Sequence, residues 1–312
     1  MNFSGRQAEL TNWTRSSYSP CFVYRASQIS DILRAQETAR KRRLSIIPHG
    51  AGHSYTDAAL NTNGVVIDVR PMHRILSWDA GRGIMRVETG VTLQEVVQRA
   101  WKDGWWPYAA PSTAQATIGG CAAMNVNGRN AWKWGPFGAG VLALDVLLAS
   151  GEICTFAPDR NPGLFHAFVG SLGLLGILTS ITVQLQSIKS GTLDIRRRPA
   201  ASLEEIFSLF AEEEQDSDFL EAWIDGFASG KQLGRGILTC AALSQSGGMA
   251  EHPDSKNGRV GHLETWLTSR AAGLGKPVLL PGVRMANRAM YAWGQWHSKR
   301  IKRRGLYAYT FW

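Results

Sequence analysis

The sequence predicts a layered protein of mixed helix and strand, α/β or α+β in class, with two domains meeting near residue 190. Three observations carry this prediction. Strand-length apolar runs alternate with stretches of helical spacing through the first 190 residues. A chain of 312 residues with 44% hydrophobic side chains, 33 Gly and 12 Trp is long for one core and comfortable for two. Beyond Ser190 the texture changes, and residues 196–199 read as a linker before an amphipathic segment.

The elements follow in order. Residues 21–25 read as a short strand after Pro20. Ser27 has an N-capping side chain, and Ile29, Ile32 and Leu33 continue at helical spacing to the basic run at 40–43. Residues 44–47 form the next strand, stopped by Pro48 and a glycine-rich loop, and 65–69 and 84–87 are further strands. Thr92 and Glu95 make a capping box for a helix that runs through Trp101 and closes at Gly104. After Pro107, small residues crowd 116–130. Strands at 142–149 and 153–157 flank a turn at 150–152, a helical piece covers 164–169, and the β-branched alternation of 177–185 is a strand. Residues 202–214 read as an amphipathic helix. The final run, 305–312, reads as an apolar strand with no turn or polar cap after it, as in a chain that stops early.

Bulk properties narrow the function classes. The first ten residues lack the basic start and apolar run of a secretory leader. The most apolar stretch, 141–149, is short and carries Asp145, so it does not span a bilayer. Cys21, Cys121, Cys154 and Cys240 are scattered without a C-x-x-C pair, which predicts neither a disulfide framework nor a metal site and fits reduced cytoplasmic thiols. The net charge of +9 is concentrated at 40–43, 196–198 and 299–304. Solvated surface and helix C-terminal charge account for such runs. Attraction to a phosphorylated substrate or an acidic lipid surface is the functional alternative. With no zinc-finger spacing or RNP motif, nucleic acid is not an expected partner.

Three blocks carry chemistry. The first is Pro48-His49-Gly50-Ala51-Gly52-His53-Ser54-Tyr55-Thr56-Asp57, directly after a strand. Its glycines allow positive φ and close approach of backbone N–H groups to an anion. It has neither the Rossmann spacing nor the Gly-Lys-Ser/Thr of a Walker loop. The second runs from Ala110 to Asn130 and contains Thr117-Ile118-Gly119-Gly120; side chains this small give either tight backbone packing or room for a flat, bulky ligand. The third, Gly170-Ser-Leu-Gly-Leu-Leu-Gly-Ile177, runs into a strand. The Trp residues at 101, 105, 106, 132 and 134 read as core or interface packing, with a substrate wall as the alternative for Trp132 and Trp134.

In order and spacing, these blocks resemble the FAD-binding domain of the vanillyl-alcohol-oxidase-like flavoproteins, also called the p-cresol-methylhydroxylase (PCMH) type. The resemblance covers residues 21–185 and implies an α+β fold. A two-subdomain PCMH-type FAD-binding domain would occupy residues 1–190, and part of an α+β substrate (cap) domain residues 191–312. It implies FAD as the cofactor. Gly50, Ala51, Gly52, Ser54 and Tyr55 would lie at the pyrophosphate, with Pro48, His49, His53 and Asp57 in the same binding loop. Thr117, Ile118, Gly119, Gly120, Asn125 and Ile177 would contact the FAD, and Ser112, Met124, Asn127 and Gly128 complete the implied cofactor site. Outside a cofactor role, His49, His73 and His166 have no partner pattern and read as structural or surface residues.

Within the family, the first two blocks are most similar to decaprenylphosphoryl-ribose 2-oxidases and to aldonolactone and alditol oxidases. Glu221-Ala-Trp-Ile-Asp225 and Leu233-Gly-Arg-Gly236 are similar to the first group. Asn127 stands where that group usually has histidine, and Arg129 where it has lysine. His53 occupies the position that is covalently joined to flavin in aldonolactone and alditol oxidases; in the prenyl-sugar oxidases it is typically not histidine and the FAD is held non-covalently. The resemblance implies an oxidoreductase acting on CH–OH groups. It would take a hydride from a secondary hydroxyl carbon of a polyprenylphosphoryl-ribose-like sugar, a cell-wall precursor, to flavin N5 while a base takes the proton. D-arabinono-1,4-lactone oxidase activity or alditol oxidation with covalent FAD, and flavin binding without turnover, are the alternatives. The expected setting is the cytoplasm, with contact at a membrane surface. In the family the substrate domain continues and returns a basic residue to the flavin, so no catalytic residue is assigned here.

Overall fold

The computed structural model describes residues 5–246, 248–249, 276–298 and 300–311. Of the stretches discussed above, residues 1–4, Lys299 and Trp312 lie outside the described residues. The chain divides into two compact units, one of Met1–Gly128 with Trp134–Ser187 and one of Arg129–Lys133 with Ile188–Trp312.

The first unit opens with β1 (Arg6–Thr11), β2 (Tyr18–Arg25), α1 (Ile29–Arg42), β3 (Ile46–His49) and β4 (Val65–Asp68). Their sheet has the order β1-β2-β4-β3, with β1 antiparallel to β2 and both β2 and β3 parallel to β4. Helix α1 is the crossover from β2 to β3, as parallel pairing requires. It buries Ile32, Ala35 and Ala39 in one cluster with Val65 and Ile67. Its cap corrects the sequence reading by one residue. Gln28 is the N-cap, and Ser27 instead donates its N–H and hydroxyl to Asp31, each at 2.9 Å. Asp31 at the third helical position draws both neighbours onto its carboxylate.

The unit continues with β5 (Ile75–Asp79), β6 (Ile84–Glu88), α2 (Leu93–Ala100), β7 (Trp105–Pro107) and α3 (Ile118–Met124); after α4 (Ala131–Trp134), which but for Trp134 belongs to the second unit, it resumes with β8 (Val141–Leu147), β9 (Ile153–Phe156), α5 (Pro162–Phe168) and β10 (Ile177–Ser187). A second sheet runs β5-β6-β10-β8-β9, antiparallel throughout, with β7 also paired to β10. The capping box of α2 forms as the sequence predicts: Thr92 N–H donates to Glu95 Oε2 at 2.7 Å and Glu95 N–H to Thr92 Oγ1 at 3.2 Å. Trp101 and Trp106 are buried and meet edge to face at 5.9 Å, which makes them core residues.

The second unit comprises β11 (Thr192–Ala200), α6 (Leu203–Glu213), β12 (Phe219–Ile224), β13 (Gly236–Leu243), α7 (Lys276–His297), β14 (Lys302–Gly305) and α8 (Leu306–Thr310). Its antiparallel sheet has the order β12-β13-β11-β14, with Ile206 and Leu209 of α6 packed on Leu220, Leu238 and Cys240.

Two expectations are corrected here. Residues 196–199 are not a linker but part of β11. Alternation sends Arg196 and Arg198 to Glu213 and Glu212, while Arg197 stands over the Trp293 ring at 5.2 Å, so each charge finds a partner on its own face. The terminal apolar run is helix α8 and not a strand, with Leu306, Ala308, Tyr309 and Thr310 all buried. A short run buried on every side has no period to separate helix from strand. No helix among the described residues is long and apolar enough to cross a membrane.

Candidate cofactor site

The first block forms the loop that leaves β3. Gly52 sits at φ +72°, in the region glycine enters without steric cost. Among the described residues, the N–H groups of Gly50, Ala51, Gly52, His53 and Ser54 have no hydrogen-bond partner. Five successive donors with nothing to donate to form a local concentration of positive partial charge suited to an anion. The ends of the loop are tied down. Trp13 N–H donates to Ser54 O at 2.9 Å and Asn12 Nδ2 to Tyr55 O at 2.8 Å. At the base, His49 Nδ1 donates to Ala59 O at 3.0 Å, so this histidine is a strut of the loop. Tyr55 and Asp57 are exposed.

Asn12 is the site residue that sequence reasoning missed. It is 4% exposed, and its Oδ1 accepts the N–H groups of Ser16 (2.9 Å) and Ser17 (3.2 Å) while its amide holds the loop. An isolated asparagine in an unrecognised hairpin carries no motif to find it by.

The second block places Thr117 as the N-cap of α3, its hydroxyl accepting from Gly120 N–H at 3.2 Å. Ile118 N–H goes to Val91 O at 2.7 Å and Gly119 N–H to Thr89 O at 2.9 Å, so the first turn of α3 is satisfied from within the chain. The glycines there serve close approach. A Cβ on Gly119 would strike Thr89 Oγ1 and lie 2.9 Å from Thr89 O. One on Gly50 would strike Thr117 Oγ1, which brings the first loop against the second block. Gly120 is less confined, with only Thr117 Oγ1 at 3.0 Å. Asn125 caps the other end of α3 at φ +45°, its Oδ1 accepting from Gly138 N–H at 2.8 Å. Met124 and Asn127 are exposed, Ser112 and Gly128 half-buried.

The third block closes the group. Gly170 N–H and Leu172 N–H donate to Ala122 O (3.0 Å) and Ala123 O (2.9 Å) at the end of α3. A Cβ on Gly173, at φ +78°, would lie 2.7 Å from the Pro48 ring. Blocks far apart in sequence thus converge on Pro48, Gly50 and α3. Ile177, by contrast, is 3% exposed and belongs to the core with Leu147, while Ile118 is buried at the start of α3.

Beside these elements lies a cavity of about 1080 Å³, lined in part by Ala51, His53, Thr92, Gln115 and Thr117. This is at the upper end of small-molecule and cofactor pockets, roughly 300–1,000 Å³. Arg25 and Arg70 also line it, with Arg70 holding the buried Asp68 carboxylate at 2.8 and 2.7 Å. Desolvation works against the Asp68 charge, but the Arg70 and Arg25 guanidiniums outweigh it and hold the carboxyl below its ordinary range. The His53 ring packs 4.7 Å from Trp13, and its Nδ1 is buried with no partner. Burial pushes the imidazole pKa below its ordinary value, which keeps it neutral near pH 7. Unpaired N–H donors, minimal side chains and a neutral imidazole together fit a flat cofactor that carries a diphosphate.

The comparisons with known proteins agree. Residues 20–157 match the family described as FAD binding domain. Over 239 residues the chain is 30% identical to the decaprenylphosphoryl-beta-D-ribose oxidase of Mycolicibacterium smegmatis, an alignment covering 76% of this chain and 52% of that protein. It is 27% identical over 163 residues to a putative D-arabinono-1,4-lactone oxidase of Neurospora crassa, covering 52% and 29%. It is 25% identical over 177 residues to the L-gulonolactone oxidase of Mus musculus, covering 56% and 40%. The chain thus spans about half the length of the first of these relatives and less of the others. Residues 20–157 are an FAD-binding domain, and FAD is the cofactor, in line with the PCMH-type resemblance of the sequence blocks.

Proposed function

We propose that this chain is part of an FAD-dependent oxidoreductase that oxidises a secondary hydroxyl on a sugar of the polyprenylphosphoryl-ribose type. The observation that carries the reading is the run of unpaired N–H groups from Gly50 to Ser54, set against Thr117 beside the cavity. In this reading residues 1–190 form the FAD-binding domain and 191–312 part of the substrate domain. Gly50, Ala51, Gly52, Ser54 and Tyr55 hold the pyrophosphate by backbone donation, while Thr117, Gly120, Met124, Asn125, Asn127, Gly128 and Ser112 border the rest of the cofactor. Ile118, Gly119 and Ile177 act from behind, by setting how closely the backbone packs. FAD, when bound, supplies the hydride acceptor, and the chain's task is to bind, orient and desolvate. The choice of a lipid-linked sugar rests on similarity to the mycobacterial oxidase, which extends past the FAD-binding domain into the second unit.

The test is anaerobic bleaching of the protein's flavin absorbance. A polyprenylphosphoryl ribose should bleach it and D-arabinono-1,4-lactone should not. The reverse would move the substrate to the lactone class, and no bleaching by either would reject both.

His53 favours a second reading, an aldonolactone or alditol oxidase with covalent FAD. Its neutral imidazole and unpartnered Nδ1 are what attachment to a flavin requires. Covalent flavin would stay with the polypeptide through acid precipitation and a denaturing gel, and His53→Ala would lose that fluorescent band. Flavin that washes out of the unaltered protein in acid would leave the non-covalent, prenyl-sugar reading.

A further inference from the structure

The last stretch of the second unit is charged in one sign only. Residues 276–312 contain eight Lys and Arg (276, 284, 288, 299, 300, 302, 303 and 304) and no Asp or Glu. Helix α7, within it, touches its sheet along a narrow strip. Asn287 donates to Asp225 at 2.7 Å, Tyr291 lies under the Arg235 guanidinium at 5.3 Å, and a Cβ on Gly294 would strike Ile237. These positions, i, i+4 and i+7, define one face.

The opposite face should be polar in an ordinary surface helix. Here it is apolar: Met285, Ala289, Ala292 and Trp296 recur at i, i+4, i+7 and i+11, and all are exposed, Met285 at 71% and Trp296 at 79%. Arg284 and Arg288 stand at the margin of this stripe, and Arg300, Lys302 and Arg304 follow it in the chain. Among the described residues, none of these five cations has a carboxylate within ion-pair distance. The contrast with the other face of the sheet is plain, where Arg196 and Arg198 are paired with Glu213 and Glu212.

We propose that α7 is the surface by which this protein lies on an anionic phospholipid membrane, with Met285 and Trp296 in the headgroup–acyl boundary and Arg284, Arg288, Arg300, Lys302 and Arg304 on lipid phosphates. Apolar side chains with a basic margin and no acid are the composition of interfacial helices. A second copy of the chain is the poorer occupant. A second copy of this face brings the same cations and no Asp or Glu from residues 276–312 to pair with Arg284 and Arg288. The inference deepens the lipid-linked reading of the substrate and rests on it for choosing a membrane over other anionic surfaces.

Vesicle co-sedimentation of the whole chain tests it, with phosphatidylcholine vesicles that contain or lack phosphatidylglycerol. Binding should be roughly tenfold stronger to the anionic vesicles, given the attraction of each surface cation to acidic lipid. Arg284→Glu with Arg288→Glu should remove most of that difference. Arg40→Glu with Lys41→Glu, the same charge change on α1, should leave it unchanged. Met285→Ser should weaken binding at constant charge. No sedimentation with anionic vesicles, or equal loss from the α1 pair, would overturn the proposal. So would concentration-dependent dimerisation that Met285→Ser abolishes, since a second copy would then be the occupant. Flavin bleaching by substrate in lipid-free solution is scored separately, so a failure of the membrane proposal is distinguishable from a failure of the substrate reading.

Discussion

Gly52→Val should lower affinity for FAD by about a hundredfold or more while the protein stays folded. Gly52 lies at φ +72°, where a side chain costs about 1–2 kcal/mol and a β-branched one more. Its Cβ would also come within 3.2 Å of His49 Nε2, the ring that braces the base of the loop. The loop is half-buried and has no hydrogen bonds among its own donors, so it relieves both strains by rotating. That rotation turns the N–H groups of Ala51, Gly52 and His53 away from a common point. A hydrogen bond to a charged group contributes about 1.5–3 kcal/mol, and losing alignment of two gives about two to four decades of affinity. Titration of the flavin-free variant, with circular dichroism to show the fold retained, measures this directly. Unchanged affinity in a folded Gly52→Val protein would show that the loop does not hold the cofactor.

Gly119→Leu should instead fail at the level of the fold. The added Cβ meets Thr89 Oγ1 and the Thr89 carbonyl that Gly119 N–H bonds, so α3 has to move off the second sheet. Overpacking of this kind costs about 1–3 kcal/mol, and displacing the buried hydrogen bond adds about 1 kcal/mol or more. For a unit of this size the melting temperature should fall by about 5–10 °C. Gly120→Leu is the informative partner, because its Cβ meets only the Thr117 hydroxyl. That variant should melt near the unaltered protein and still bind FAD poorly, since its side chain extends beside the loop. Normal flavin content in Gly120→Leu would show that the second block is packing alone.

Much of this was legible in the sequence, for reasons that differ by element. The box at Thr92 and Glu95 was legible because a side chain bonds a nearby backbone, with no tertiary information needed. The strands at 65–68 and 177–187 announced themselves through β-branched runs. Strand β1 did not, since Arg6-Gln-Ala-Glu-Leu-Thr11 has no strong strand former before its end and is held by pairing with β2. Strand β11 was hidden because its arginines are stabilised by Glu212 and Glu213, more than ten residues away. Within the site, motif spacing pointed to the loop at 48–57 and the block at 117–120, but not to their division of labour. Gly119 and Gly120 are neighbours of the same type, and only the position of Thr89 separates the packing glycine from the freer one. Asn12 was invisible because its role depends wholly on where the β1–β2 turn falls.

In the function proposed above, the backbone donors of Gly50 to Ser54 hold the diphosphate of FAD. Equilibrium titration of flavin-free protein with FAD, FMN and riboflavin tests it most directly, because the three share a ring and differ in phosphate. FAD should bind about a hundredfold or more tighter than riboflavin, with FMN between them, since each charged hydrogen bond lost costs about 1.5–3 kcal/mol. Riboflavin binding as tightly as FAD, or no binding by any of the three, would contradict it.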